Sequence, residues 1–242
     1  MTYCVGLLLN AGMVLLSDTR TNAGLDNIAC YRKNFTFEIP GERVITILTS
    51  GSLSVTQTTM ARLREAMEDP EANEKTSILQ AKTMLDVAEL IGKVLADTTA
   101  DISAKLERMT SANASASMLV AGQRKGGAMR LFLIYPEGNF IEATEDTPFL
   151  QIGEHKYGKP ILDRVVRPET SLSDAQKAVL LSMDSTLRSN LSVGMPLDMV
   201  TIRADDCRVS EHRRIEADDD TFRAMSHAWS DALREAFTEI VI

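Results

Sequence analysis

The sequence has 242 residues, of which 44% are hydrophobic and 25% are charged, the proportions of an ordinary globular protein. This length predicts one large domain over residues 1–242, which can bury a core without disulfides or a structural metal. No apolar run approaches the ~18 residues of a membrane helix, and the start lacks the basic head of a signal peptide. We therefore expect no membrane partner.

Charge and ligand types exclude further classes of protein. The formal net charge is −8, and no run of lysine and arginine exceeds two residues, so nucleic acid is not an expected partner. The three cysteines and three histidines lie far apart in the sequence, without the spacing of a zinc site. We expect no metal and no disulfide framework, and a location in the reducing cytoplasm.

The first half of the chain predicts four strands and then two helices. The strands are expected at Tyr3–Leu9, Met13–Leu16, Phe35–Ile39 and Arg43–Leu48. The first of these does not alternate between apolar and polar residues, so we expect it to be covered on both faces. One helix should run from Leu53 to the Asp69-Pro70 break. Ser77 with Gln80 resembles a capping box before a second helix, whose apolar stripe runs from Met84 to Leu95.

The second half repeats this grouping of elements. Strands are predicted at Ser115–Gly122, Arg130–Tyr135 and Phe140–Ala143, and two helices follow, one near Tyr157–Val165 and one after a Ser173/Gln176 cap. Two more strands are predicted at Met199–Arg203 and Cys207–Val209. The last predicted helix has an apolar stripe from Phe222 to Phe237. Strands come in groups rather than alternating singly with helices, which disfavours a doubly wound parallel sheet. We predict an α+β fold, a four-layer αββα sandwich in which helices cover two packed sheets.

The chain lacks the common phosphate-loop, dinucleotide, nucleophile-elbow and zinc-protease motifs, and its chemistry is concentrated at the N-terminus. Removal of the initiator Met1 would leave Thr2 with a hydroxyl nucleophile and a free α-amine. The ordinary pKa of such an amine, about 7.7–8.0, suits it to accept the hydroxyl proton near neutral pH.

Three further residues fit this chemistry. Lys33 near the amine would lower the pKa of that amine, and a buried Asp18 would keep Lys33 charged. Gly51 lies where a strand runs into a helix, and backbone N–H groups at such an entry suit an oxyanion. The alternative for Asp18 and Lys33 is a surface ion pair of small energetic value.

The sequence resembles proteasome β-type subunits of the N-terminal-nucleophile hydrolase superfamily, and among them the bacterial ancestral β-subunit group, Anbu. The resemblance extends over nearly the whole chain in the same element order. It rests on Thr2-Tyr3-Cys4-Val5-Gly6, Ser17-Asp18-Thr19-Arg20, Lys33, Ser50-Gly51-Ser52, Val120-Ala121-Gly122 and Phe149-Leu150-Gln151-Ile152-Gly153. The fold that it implies is the αββα sandwich.

The resemblance also implies roles for individual residues. Thr2 would be the nucleophile, Asp18 and Lys33 the charge pair that tunes it, and the Gly51 N–H the oxyanion donor. Ser192 would keep a supporting serine role, and Thr21 would contact an extended peptide through its backbone. No cofactor is implied. Identical subunits in a ring or spiral homo-oligomer are the implied partners, with the helices of Leu53–Arg108 and Ser173–Ser189 facing neighbours.

Two positions depart from the family pattern. Glu154 stands where a serine is usual, and Ser189 replaces an aspartate three residues before Ser192. The hydrogen-bond shell around the nucleophile is thus rebuilt.

The leading hypothesis is a cytoplasmic threonine hydrolase that cleaves peptide or amide bonds. The alternatives are an amidase of small peptides or γ-glutamyl-type conjugates, and a catalytically weak oligomeric scaffold. Thr49 and Leu53, which flank Gly51, are expected to line an apolar substrate pocket with a hydroxyl rim, favouring apolar over acidic side chains.

Overall fold

A computed structural model describes residues 2–22, 28–106 and 114–241. The strands are β1 (Tyr3–Leu9), β2 (Gly12–Asp18), β3 (Arg20–Asn22), β4 (Ile28–Cys30), β5 (Asn34–Ile39), β6 (Arg43–Gly51), β7 (Ala116–Arg124), β8 (Arg130–Ile134), β9 (Phe140–Glu142), β10 (Phe149–Gly153), β11 (Leu197–Arg203) and β12 (Val209–Ile215). The helices are α1 (Leu53–Glu68), α2 (Met84–Leu106), α3 (Lys159–Val165), α4 (Leu172–Ser189) and α5 (Asp220–Glu239).

Two five-stranded antiparallel sheets form the centre of the fold. The first has the spatial order β10-β1-β2-β11-β12, and the second has the order β5-β6-β7-β8-β9. β3 and β4 pair with each other as a separate hairpin beside the first sheet. Helices α3, α4 and α5 lie on the first sheet's side, and α1 and α2 pack on the second sheet. The predicted αββα sandwich is confirmed.

Three hydrophobic cores separate the four layers, and β1 contributes to two of them. Tyr3, Val5 and Leu7 enter the core between the first sheet and its helices. Cys4, on the opposite face of the strand, enters the core between the two sheets. Because successive side chains of a strand point to opposite faces, both faces of β1 must be apolar. This explains the absence of alternation in its sequence.

Two predicted helix caps are wrong. The capping box of α2 is Thr83 with Asp86, not Ser77 with Gln80: the Asp86 N–H donates to Thr83 Oγ1 (3.1 Å), and the Thr83 N–H donates to Asp86 Oδ2 (2.9 Å). The Ser77 carbonyl closes a turn before the helix by accepting the N–H of Gln80. That turn places Ile78 and Ala81 in the core, so burial of apolar side chains and not helix capping determines the conformation of this segment.

The cap of α4 shifts by two residues. The Asp174 N–H donates to Ser171 Oγ at 3.1 Å, so Ser171 is the cap in place of Ser173. The Gln176 side chain bonds across to Thr201 and Glu211 instead of folding back on the helix end.

The strand predictions misplaced one strand and missed three others. β12 runs over Val209–Ile215 and not Cys207–Val209, because Cys207 adopts a positive φ of 46° in the preceding turn. β3, β4 and β10 were not among the predicted strands. Met1 and the predicted helix end at Arg108 lie outside the described residues.

The last helix departs from the prediction in its second half. Phe222 is buried near the start of α5, but Leu233 and Phe237 are 50% and 77% exposed. The apolar stripe thus continues along α5 beyond the part that packs on the protein.

Candidate active site

Thr2 lies at the start of β1, where the strand meets the end of β10. The residue is 8% exposed, and its carbonyl oxygen accepts the Glu154 N–H at 2.7 Å. Gly153 adopts a φ of +80°, and a Cβ there would overlap the Thr2 carbonyl. The close approach therefore requires glycine at position 153. It fixes the main chain of Thr2 against the neighbouring strand.

Asp18 and Lys33 form a buried ion pair directly behind Thr2. Lys33 Nζ lies 2.7 Å from Asp18 Oδ1, and the two side chains are 6% and 0% exposed. Lys33 Nζ also donates to the carbonyl of Arg20 at 2.5 Å. The surface-pair alternative considered above is therefore wrong, because exposure of both partners is what makes such pairs weak.

Backbone groups complete the shell of the Asp18 carboxylate. Oδ1 accepts the Tyr3 N–H and Oδ2 accepts the Gly194 N–H, each at 3.2 Å. Burial raises the pKa of the Asp18 carboxyl, and the Lys33 ammonium together with the two backbone donors lowers this pKa part of the way back. Asp18 thus ties β1, Lys33 and the segment before β11 together.

Gly51 ends β6 and precedes α1. Its φ is +107°, and a Cβ would overlap the carbonyl oxygen of Ser115, the residue before β7. Ser52, the residue before the helix, donates its N–H to the same carbonyl at 2.8 Å. The same strand holds Lys33, because the Thr49 N–H donates to the Lys33 carbonyl at 2.9 Å. β6 therefore positions both the glycine and the lysine.

A cleft of about 310 Å³ opens over these groups. Six of the residues singled out in the sequence line it: Thr2, Thr21, Lys33, Thr49, Gly51 and Leu53. Asp18 lies beneath Lys33 and does not line the cleft. Ser192 is also outside the lining; its N–H donates to the side chain of Asn190 at 2.9 Å.

Asn190 joins Glu154, one of the two departures from the family pattern, to Ser192. The Asn190 amide donates to Glu154 Oε2 at 3.2 Å and accepts the Ser192 N–H through Oδ1. Glu154 in turn donates its own N–H to Thr2. A chain of hydrogen bonds thus connects the turn after α4 to the edge of the cleft.

Arg20 and Arg32 line the cleft and were missed as site residues. Arg20 belongs to the Ser17-Asp18-Thr19-Arg20 match but received no role, and Arg32 precedes Lys33 without any motif of its own. Leu53 is the one large apolar side chain of the described lining. The hydroxyl-bearing residues of the expected pocket are present beside Leu53, and the two arginines are an addition that the sequence did not predict.

The described part of the chain offers no alternative centre of the metal type. Within residues 2–22, 28–106 and 114–241 no three histidine, cysteine or acidic side chains are grouped to hold a metal ion. In the same ranges no helix is both long and apolar enough to cross a membrane.

Comparisons with known proteins identify the family. The model of the proteasome subunit family matches residues 2–202. An Anbu (Gly-1) mutant from Hyphomicrobium sp. strain MC1 is 48% identical with a TM-score of 0.92, covering 100% of this chain and 99% of that one. Anbu (ancestral beta-subunit) from Yersinia bercovieri is 40% identical, with a TM-score of 0.90 over 99% and 98% of the two chains.

A third solved structure, the helical assembly of the Anbu complex from Pseudomonas aeruginosa, is 42% identical with a TM-score of 0.92, covering 99% of this chain and 97% of that one. A comparison with curated proteins found no match. The chain belongs to the proteasome-subunit family, in the group formed by the Anbu, or ancestral β-subunit, proteins.

Proposed function

We propose that this protein is a threonine N-terminal-nucleophile hydrolase that cleaves peptide or amide bonds. The observation that carries the proposal is that Thr2, Lys33 and Gly51 line one cleft, with Asp18 buried against Lys33. A nucleophile, a fixed cation and a backbone N–H are the parts that acyl transfer requires. Membership of the proteasome-subunit family supports the same reaction class.

In the proposed reaction Thr2 acts after removal of Met1. Its α-amine accepts the proton of the hydroxyl as Oγ1 attacks the carbonyl carbon of the substrate. The Lys33 ammonium favours the neutral form of the amine, and the Gly51 N–H stabilises the oxyanion. The protonated amine then donates to the leaving nitrogen, and water releases the acyl group with the amine again as base.

Two measurements test this proposal. Intact mass of protein from its native cytoplasm is expected to show a chain that begins at Thr2. A neutral acylating electrophile such as a β-lactone should then acylate Thr2, with the adduct located by peptide mapping. Thr2→Ala is expected to abolish the adduct, while Thr21→Ala, a second threonine in the same cleft, should retain it. Retained Met1 or an adduct that survives Thr2→Ala would support the scaffold alternative instead.

We further propose that the protein assembles with identical subunits, and that the exposed part of α5 contributes to the contacts in addition to the expected helices of Leu53–Arg108 and Ser173–Ser189. Four large apolar side chains on its last turns and just after it are 50–94% exposed: Leu233, Phe237, Ile240 and Val241. Large apolar side chains grouped at one surface mark interaction sites. The relative from Pseudomonas aeruginosa forms a helical assembly.

Light scattering at micromolar concentration is expected to show an oligomer. Phe237→Ser should weaken it, whereas Thr238→Ser on the same turn should not. A monomeric wild-type protein, or assembly unaffected by Phe237→Ser, contradicts this interface.

A further inference from the structure

The charge of the cleft is opposite to that of the protein. The whole chain has 34 acidic and 26 basic residues, and its net charge is −8. The described lining of the cleft nevertheless contains Arg20, Arg32 and Lys33 and no carboxylate. A local excess of positive charge inside a concave site concentrates anions there, whatever the net charge of the protein.

Two of the three cations are not neutralised by a described neighbour. Lys33 is compensated by Asp18 and serves the proposed nucleophile. In the described ranges neither Arg20 nor Arg32 lies within ion-pair distance of a carboxylate. The cleft is therefore lined by one neutralised cation, Lys33, and by two arginines that no described carboxylate neutralises.

Arg20 is held in place by its surroundings. Its Nη1 donates to the Leu191 carbonyl at 2.9 Å. The rest of the guanidinium lies against Gly194, where a Cβ would overlap Nε and Cζ. Gly194 and Arg20 also line a neighbouring cavity, and Gly194 does not line the cleft, so the Arg20 guanidinium lies at the border of the cleft and adds positive charge there.

Arg32 is exposed at the mouth of the cleft. Its backbone precedes the buried Lys33, whose carbonyl is bonded to β6. The side chain is therefore tethered next to the cleft, while its charged end remains in solvent.

We propose that the cleft selects amide substrates that carry a carboxylate beside the scissile bond. This inference rests on the proposed function and names its substrate class. Guanidinium and carboxylate form charge-assisted, often bidentate hydrogen bonds, which Arg32 would supply at the mouth of the cleft, while Arg20 adds positive charge at its border. A basic substrate meets like charge there, and among the described lining residues an apolar substrate finds Leu53 as the one large apolar partner.

Two chemical sources supply such a carboxylate. One is the acidic side chain of an α-linked peptide, and the other is the free α-carboxylate of a γ-glutamyl amide. Both present the carboxylate a few bonds from the scissile carbonyl, so Arg32 would contact either. The assay below contains one matched pair of compounds for each source.

The experiment measures binding and does not depend on turnover. Dissociation constants are obtained by fluorescence anisotropy for a dye-labelled tetrapeptide amide ending in glutamate and for its glutamine counterpart. A γ-glutamyl amide and its α-carboxamide derivative form the second pair. We expect the acid to bind about tenfold more tightly than the amide in at least one pair at low salt. The pair that shows this difference identifies the source.

Variants connect the preference to the arginines. Arg32→Gln removes an exposed charge and should reduce the ratio of the two constants to about threefold or less. Arg203→Gln is the matched control: Arg203 is also exposed but lies at the end of β11 opposite to Leu197, which pairs with Asp18. It should retain the wild-type ratio. Added salt should also reduce the ratio, because exposed charges are screened.

Equal binding of acid and amide in both pairs, or a ratio unchanged by Arg32→Gln, overturns the inference. Acylation of Thr2 by the neutral electrophile is measured separately and decides the proposed function alone. A protein that reacts at Thr2 but binds acids and amides equally retains the function and loses the selectivity. A protein that prefers acids without reacting at Thr2 retains the selectivity and loses the proposed function.

Discussion

Replacing Lys33 by alanine is expected to destabilise the protein through the charge that it leaves behind. At the observed 2.7 Å, the attraction between Lys33 and Asp18 is about 6 kcal/mol for an effective dielectric constant of about 20. Part of this offsets the desolvation of the two ions, so loss of one partner of a buried pair costs about 3–5 kcal/mol. For a chain of this size the melting temperature should fall by about 10 °C.

The stability that Lys33→Ala loses relative to wild type should depend on pH. Without Lys33 the pKa of the Asp18 carboxyl, already raised by burial, rises further. A carboxyl whose pKa is higher in the folded state contributes stability below its unfolded pKa and loses that contribution as pH rises through the folded pKa. Lys33→Ala should therefore lie closest to wild type in acid and fall behind it towards neutral pH.

The assay is urea unfolding of wild type and variant from pH 4 to pH 8, at constant protomer concentration because assembly adds to apparent stability. Lys159→Ala is the matched control, since Lys159 and Asp163 are 2.6 Å apart but about half exposed. That variant should cost less than about 1 kcal/mol. If Lys33→Ala costs no more than Lys159→Ala, burial does not govern the energy of the pair and the reasoning fails.

Three further outcomes are expected. Burial raises the pKa of Tyr3 to about 12, so stability that is present below pH 10 should be lost towards pH 12, by about 3 kcal/mol. The stability of Tyr3→Phe, measured by unfolding curves, should lack this loss. An identical dependence of stability on pH in wild type and variant would contradict it. Iodoacetamide should modify Cys30 in the native protein and spare the two buried cysteines, as read by mass spectrometry; equal reaction of all three would refute the burial. Gly153→Ala should lower the melting temperature far more than Gly126→Ala, because both have positive φ but only the former meets the Thr2 carbonyl; equal costs would contradict that contact.

Burial patterns made most of the fold predictable from sequence. β1 and the stripe of α2 contain enough apolar residues to indicate both their type and their layer. β3 and β4 have three residues each, too few for periodicity to distinguish from a loop. β12 is largely exposed, and therefore lacks an apolar pattern. The predictions of the helix caps failed because several Ser/Thr-x-x-polar combinations precede each helix, and tertiary packing selects among them.

The residues of the candidate site also include some that the sequence could place and some that it could not. Thr49 and Leu53 could be placed beside the cleft because they flank Gly51 on a strand–helix junction. Arg20 and Arg32 could not, since their positions depend on how the β3 segment and the residues before β5 lie over the sheet. The contact of Arg20 with Gly194 joins residues 174 positions apart in the chain. No local pattern encodes a contact of that kind.

The double burial of β1 has a consequence for motion. Every residue from Tyr3 to Leu9 except Leu8 is buried, with neighbours on both faces and hydrogen-bonded strands on both edges. Amides in such a strand exchange with solvent only when the whole domain opens, whereas chain segments at a protein's surface fluctuate on much shorter timescales. Any conformational change that admits a ligand must then occur at the rim of the cleft. Thr2 keeps its position while the rim moves.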